Sequence, residues 1–511
     1  MNKQNLEKKT KKKLQRGLHN RHIQLIALGG AIGTGLFMGS GKTISVAGPS
    51  ILLVYAIIGC ALYFVMRAMG ELLLSNTQYR SFIDFSTDLL GPCAGFFIGW
   101  TYWLCWIVTG TAEIIAIVTY THFWWPELNS WIPAIISIIS FLILNLVAVK
   151  LFGELEFWFG FIKIAAILVL IVVGLYMIFT GFVSPNGTVA SLSNIWNDGN
   201  IFPRGITGFF AGFQIVIFAF VGIELAGTAA AEVKEPQKAL PQAVNSIPIR
   251  IVFFYIFSIL VIMSVTPWNQ ISPEKSPFVT MYALIGIPIA AGLMNFVVLT
   301  AAASSANSGI FSTSRMIYGL ATQKGAPKFL GKLSRNHVPA NALFCSCLCI
   351  LLGYTVVSLS QTLIEAFTIV TTIAATLFIF VWSIILISYI VYRRNRPLQH
   401  AVSPYKMPGG VVMCWALLVF IAATLFIFVW SIILISYIVY RRNRPLQHAV
   451  SPYKMPGGVV MCWALLVFFA FIIYLLSLEA DTAIALKYTP TWFIFLGIVY
   501  FLFRKKDYAK N

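Results

Sequence analysis

Gly29, Gly30, Gly33, Gly35, Gly39 and Gly41 punctuate one apolar stretch of the chain, and Gly208, Gly212, Gly222 and Gly227 punctuate a second that also holds the carboxylate Glu224. Glycine at that density interrupts a helix and leaves main-chain N–H and C=O groups without intrahelical partners. At membrane depth such groups persist only where protein or a water-filled cavity satisfies them, so two interrupted spans mark the walls of a binding site. Three ionisable residues share this apolar setting. Lys163 lies inside FWFGFIKIAAILVLIVVGLYMIF, Glu113 in the middle of another apolar run, and Glu224 directly after Val221, Gly222 and Ile223. A charge at such depth is costly unless paired or hydrated. Burial disfavours the ammonium form of a lysine, which would let Lys163 bind and release a proton. The competing readings are a lysine reaching the interface past Glu154 and Glu156, glycines that serve close helix packing, and a Glu113 that bonds neighbouring hydroxyls.

The elements that must position these residues are membrane helices. With 59% hydrophobic and 10% charged residues the chain fits no soluble globular class. Runs of about 20 apolar residues recur along it, and the expected fold is all-α and polytopic. The glycine clusters occupy the first span (22–46) and the sixth (206–231), Glu113 the third (96–123) and Lys163 the fifth (157–179); Ser304, Ser305 and Asn307 form a polar end to the eighth (278–303). The expected layout is a basic tail over 1–21, a membrane domain over 22–503 and a basic tail over 504–511. A net charge of +19 would suggest a nucleic-acid partner in a soluble protein. Here the basic residues sit at span ends and in alternate loops, which reports orientation instead and argues against nucleic acid. Eight Lys or Arg against the single acid Glu7 within residues 1–22 place the N-terminus in the cytoplasm, and the loop 183–203, with Asp198 and no Lys or Arg, should face outward.

Three motifs fail. GSGKT lacks the earlier glycine of a phosphate loop, where Leu36 stands, and has no strand before it. The run CSCLC places cysteines two apart on a helix, on different faces and without a histidine cluster, so no metal site is expected. No nucleophile, base and orienting residue assemble into an enzyme site, and no nucleotide site supports a pump.

Residues 373–420 recur letter for letter as 421–468, a tandem copy of 48 residues. Architectural repeats diverge while keeping their pattern, so identity at every position marks a recent duplication or an assembly error. Without the copy twelve spans remain and both termini face the cytoplasm. With it, the piece 411–440 joins the start of the eleventh span to the end of the tenth and carries basic RRNRP loops on both sides. It is too short for two crossings of a roughly 30 Å core with a turn. The expectation is that the first-copy tenth span and the second-copy eleventh span take the ordinary places, with 411–440 left peripheral.

The segments NRHIQLIALGGAIGTGLFMGSGKTISVAGPS, MRAMGELLLSN, GWTYWLCWIVTG, FGELEFWFGFIKI, GFFAGFQIVIFAFVGIEL, NSIPIRI, VIMSVTPW and ANSGIFSTSRM resemble the amino acid permeases of the amino acid/polyamine/organocation superfamily. EKSPFV and NFVVLTAAASSANSG resemble the members that carry D-serine, D-alanine and glycine. The resemblance implies a twelve-helix fold of the LeuT-like kind, in which spans one to five and six to ten are inverted repeats, set in a bacterial inner membrane. It implies proton symport of small neutral amino acids with no cofactor beyond the coupling proton. Carried over onto this chain, Ala31, Thr34 and Gly35, then Phe218 and Gly222, line the substrate site. Main-chain N–H groups around Gly33, Thr34 and Gly35, with the Thr34 hydroxyl, would bind the carboxylate of a zwitterion. Carbonyls freed near Phe218 to Val221 would accept from its ammonium. Glu224 would cap the freed half-helix or meet the ammonium, and Phe218 and Phe220 would shrink the pocket. Lys163 would stand where sodium-coupled relatives hold their ion, facing Ser304 and Ser305, with Glu113 on a proton path. The alternatives are a permease for another amino acid class, a transport-inactive product of the duplication, a nutrient sensor and a channel.

Overall fold

The computed structural model describes residues 32–502 apart from 77, 80, 148, 197–199, 226–235, 285–287, 335–336, 361 and 425–488. Among these residues the fold is helical, with one isolated bridge between Val183 and Val189. Seven helices are long and apolar enough to cross a membrane, and Trp131–Leu146, Gly205–Ala219 and Thr489–Leu502 are shorter apolar helices. In chain order the helices are α1 (Thr34–Phe37), α2 (Gly39–Ala47), α3 (Ile51–Ser75), α4 (Phe82–Leu90), α5 (Pro92–Thr121), α6 (Trp131–Val147), α7 (Val149–Thr180) and α8 (Gly205–Ala219). They continue with α9 (Pro236–Asn245), α10 (Ile247–Arg250), a π-helical stretch Ile251–Phe257, α11 (Ser258–Val265), α12 (Pro277–Leu284), α13 (Pro288–Thr322), α14 (Ala340–Val357) and α15 (Leu363–Asn395). The last are α16 (Pro397–Ala401), α17 (Gly410–Thr424) and α18 (Thr489–Leu502).

Packing follows the residues. α5 runs between α13 and α15, its longest neighbours. A methyl group added at Gly309 of α13 would meet the Trp106 ring of α5 at 2.3 Å, so only a residue without a side chain lets these helices approach so closely. Around this centre, α1 and α2 pack on α8, α8 packs on α15, and α7 packs on α13. The outer faces of α7 and α14 carry exposed Trp158, Phe161, Val172, Tyr176 and Phe179, then Phe344, Leu352 and Val356. Such bare apolar stripes suit contact with lipid tails.

Two expectations change here. α13 does not end at Ala303: its apolar run stops, but the helix continues to Thr322, and Ser304, Ser305 and Asn307 sit mid-helix and buried. Small polar residues keep the helix going because neighbouring helices, not lipid, cover that face. The start of 411–440 is not peripheral either. α17 packs on α15 and α3, with Cys414 and Leu418 buried and Val412 outside. Cys414, Leu417 and Leu418 recur at helical spacing and give it an inward face, and it follows α15 from the same copy. The rest of that piece and the second-copy eleventh span lie outside the described residues.

Candidate functional site

At the first expected interruption a described helix begins, at the second a described helix ends, and the two places meet. Gly33 is extended (φ −115°, ψ −163°) and precedes α1 without any side-chain cap. Helical bonding then runs on through Met38, whose N–H donates to Thr34 O at 2.7 Å, into α2. Upstream, Ala31 and the first half of that span lie outside the described residues. The second interruption follows α8: Phe220 to Glu224 form turns, and Gly222 adopts φ +101°, a conformation open mainly to glycine. A Cβ built on Gly35 would fall 2.5 Å from Ala219 Cα and 2.8 Å from Ala219 N. The two breaks therefore touch backbone to backbone at Gly35 and Ala219.

The two breaks are finished differently. At the first, Thr34 is fully buried and its hydroxyl has no hydrogen-bond partner. Glu113 of α5 reaches the same place: a Cβ on Gly33 would lie 3.3 Å from Glu113 Oε1 and 3.3 Å from Ser305 Oγ, and Glu113 Oε2 is buried without a partner. At the second, the polar groups are paired. Glu224 Oε2 accepts the Gly222 N–H at 3.3 Å, Tyr102 donates its hydroxyl to Glu224 Oε1 at 3.2 Å, and Tyr255 donates to Ala219 O at 3.2 Å. Phe218 O accepts from Val221 N at 3.0 Å and Phe220 O from Ile223 N at 3.3 Å. Of the two roles set for Glu224, capping is the one the geometry displays. Of the carbonyls expected to be free from Phe218 to Val221, those of Phe218, Ala219 and Phe220 are engaged, because the chain here closes on itself in tight turns.

The aromatic residues divide as well. Phe220 stacks on Tyr255 with ring centroids 4.6 Å apart, while Phe218 packs edge-on against Phe367 at 5.9 Å and against Gly35. Both phenylalanines are buried. A narrow apolar recess lies beside the second break, lined by Ile32, Phe220, Ile223, Arg250 and Tyr255.

Lys163 is completely buried and donates to Ser304 Oγ at 3.1 Å, so it does not reach out to the interface. Glu113 and Glu156 both act on it electrostatically. Ser304 and Ser305, adjacent on α13, turn to different partners: Ser304 to Lys163, Ser305 to Gly33 and Glu113.

Four participants escaped the reading of the residues. Glu156 looked interfacial, yet it is 1% exposed and bonded to Ser304 and Asn307; its signal was its place seven residues before Lys163, on the same helical stripe. Asn145, which bonds Asn307, gave the companion signal of an amide inside an apolar run. Tyr102 and Tyr255 gave none among so many aromatics. Tyr255 lies in the π-helical stretch, a local widening that often marks functional positions.

Paired interruptions around buried polar groups in a helical membrane domain define a carrier. Residues 22–427 match the amino acid permease family model, and the chain belongs to that family. It is 55% identical over 497 residues to the D-serine/D-alanine/glycine transporter of Escherichia coli K12, covering 97% of this chain and 96% of that protein. It is 47% identical over 489 residues to the amino-acid permease AapA of Bacillus subtilis, covering 96% and 95%. It is 44% identical over 422 residues to the DL-alanine permease SerP2 of Lactococcus lactis, covering 80% and 91%.

Proposed function

We propose that this protein imports small neutral amino acids, D-serine, D-alanine and glycine, across a bacterial inner membrane by proton symport. The observation that carries the reading is the unpaired polar surface where the two interruptions meet, namely the bare Thr34 hydroxyl and Glu113 Oε2 beside Gly33. Buried polar atoms in a native protein are almost always bonded, so each one left open needs an explanation, and these two lie together at the meeting of the two interruptions, where a zwitterion would supply it. The substrate carboxylate takes the N–H groups at the start of α1 and the Thr34 hydroxyl, at the positive end of a helical segment that continues to Ala47. The tight backbone contact at Gly35 and the buried Phe218 leave room for a small side chain only. Twelve crossings in two inverted repeats, with the N-terminus in the cytoplasm, accommodate this site.

Proton coupling rests on a charge count. Two buried carboxylates, Glu113 and Glu156, each act on one amine, Lys163. Fully ionised, the cluster carries one negative charge; with one proton added it is neutral. A low-dielectric interior favours the neutral state, so gain and loss of that proton suit the two faces of a transport cycle.

The test is uptake into proteoliposomes of labelled D-serine, D-alanine, glycine and a larger L-amino acid. The expected result is accumulation of the three small substrates under an inward proton gradient, abolished by a protonophore. A sodium requirement overturns proton coupling, and preference for the larger substrate overturns the assignment of size. The form lacking residues 421–468 is run beside the full chain; transport by the shortened form alone would assign the duplicated chain as inactive.

A further inference from the structure

Glu156 lies two helical turns before Lys163 on the face of α7 that packs against α13, at the end of the helix that the basic loops assign to the cytoplasm. Its carboxylate is held on both oxygens. Ser304 Oγ donates to Oε2 at 2.7 Å and Asn307 Nδ2 donates to Oε1 at 3.1 Å. Asn307 is itself fixed by Asn145, whose Nδ2 donates to Asn307 Oδ1 at 2.7 Å. Lys163 Nζ donates to Ser304 Oγ at 3.1 Å. The Ser304 hydroxyl thus accepts from the ammonium and donates to the carboxylate, joining them by two hydrogen bonds in series. All four of Glu156, Lys163, Ser304 and Asn307 are buried.

We propose that Glu156 is the proton partner of Lys163, positioning the ammonium through Ser304 and receiving its proton on the cytoplasmic side of the transport cycle. The inference rests on the proton-symport reading and adds the route. In the step, one Nζ–H bond breaks and its proton moves to Ser304 Oγ, while the hydroxyl's own proton leaves along the second bond to Glu156 Oε2. A neutral amine, an unchanged hydroxyl and a neutral carboxylic acid result, and no atom or electron is left over. The ion pair and the neutral pair differ only in where one proton rests, and a buried site tolerates both. The charged groups acting on Lys163 are Glu156 and Glu113; on Glu156 it is Lys163, with Asn307 and Ser308 as polar neighbours. Glu113, at the other end of the cluster beside Gly33, is the group through which substrate binding is felt.

A carboxylate that only balanced the lysine's charge would be equally buried, so the test separates proton transfer from fixation. Glu156→Gln, Glu156→Asp, Ser304→Ala and Lys163→Ala are each reconstituted in the full chain and assayed for proton-driven accumulation and for exchange of labelled for unlabelled glycine at equal pH. For Glu156→Gln and Ser304→Ala the expected accumulation ratio falls to about one while exchange falls by less than about threefold, with net uptake losing its dependence on lumenal pH. Glu156→Asp recovers part of the accumulation. Accumulation by Glu156→Gln at the wild-type ratio, or loss of exchange and accumulation in equal proportion, overturns the inference. Should Glu156→Gln fail to insert, Ser304→Ala, which keeps the carboxylate, decides alone. If Lys163→Ala uncouples and the other variants do not, only the route through Glu156 falls; if Lys163→Ala also accumulates normally, the symport reading itself falls.

Discussion

The two interrupted segments were alike as strings of glycine and are unlike as structures. At the first, the extended Gly33 opens a helical segment on whose Thr34 main chain and hydroxyl the Glu113 carboxylate lies, with Thr34 Oγ1 and Glu113 Oε2 left without a close hydrogen bond. At the second, Glu224 takes the Gly222 N–H and the Tyr102 hydroxyl, and Tyr255 donates to Ala219 O, so that the turn is tied down. One break leaves two buried polar side-chain atoms open while the other binds most of its own. The lesson is that an interrupted helix is not by itself a site. Substitutions at the first break should act on substrate affinity, and substitutions at the second on the stability of the fold.

The largest effect is expected where the breaks touch. Gly35→Val would drive its Cβ into Ala219 Cα and N, main-chain atoms that no side-chain rotation can move away. Overpacking costs about 1–3 kcal/mol where side chains can yield and more where backbone must shift, so uptake should fall to background. Uptake within about threefold of wild type would mean that the breaks separate freely and that their contact is incidental. Gly222→Ala comes next. At φ +101° an added Cβ costs about 1–3 kcal/mol, so the melting temperature in detergent should fall by several degrees while KM for glycine changes little. A reversed pattern, with KM raised and melting unchanged, would move the second break from scaffold to substrate site.

The contrast sharpens with the polar side chains. Thr34→Ala removes a hydroxyl that makes no close hydrogen bond and stands beside the Glu113 carboxylate, so melting should change little. A hydrogen bond to a charged substrate is worth about 1.5–3 kcal/mol, which predicts that KM for glycine rises about tenfold or more. Glu224→Gln keeps one acceptor oxygen for two donors. It should lower the melting temperature with little change in KM, and Tyr102→Phe should reproduce a fraction of that loss.

How much of this was legible in the residues follows from what each signal measures. Glycine spacing reports where a helix must break: α8 ends within its glycine cluster, and α1 starts directly after Gly33. Lys163, Glu113 and Glu224 were visible because an ion in an apolar run is conspicuous. Whether a break is capped depends on side chains from distant helices, Tyr102 on α5 and Tyr255 in the π-helical stretch, which no local pattern announces. Glu156 hides from the apolar pattern because that run begins at Phe157, whereas α7 begins at Val149 and carries Glu156 inside. α13 likewise outlasts its hydrophobic stretch because helices, not lipid, surround Ser304 and Asn307.

The smallest effect is expected from a carboxylate outside the membrane-spanning helices, which gives the baseline for Glu224. Asp88 of α4 is bonded by the Tyr79 hydroxyl and by Arg396 at 2.8 Å, and these two bonds hold its carboxyl below the ordinary value of 3.8. A depressed carboxyl stabilises the fold above its unfolded value and loses that contribution as pH falls through the folded one. With the Asp88 side chain 43% exposed, water screens the pair, and about 0–1 kcal/mol is expected. Asp88→Asn should therefore lower the melting temperature by at most a few degrees at pH 7, and the difference from wild type should shrink toward pH 3. If Glu224→Gln costs no more than Asp88→Asn at pH 7, burial adds nothing to the cap on Gly222, and the second break is no more firmly closed than the first.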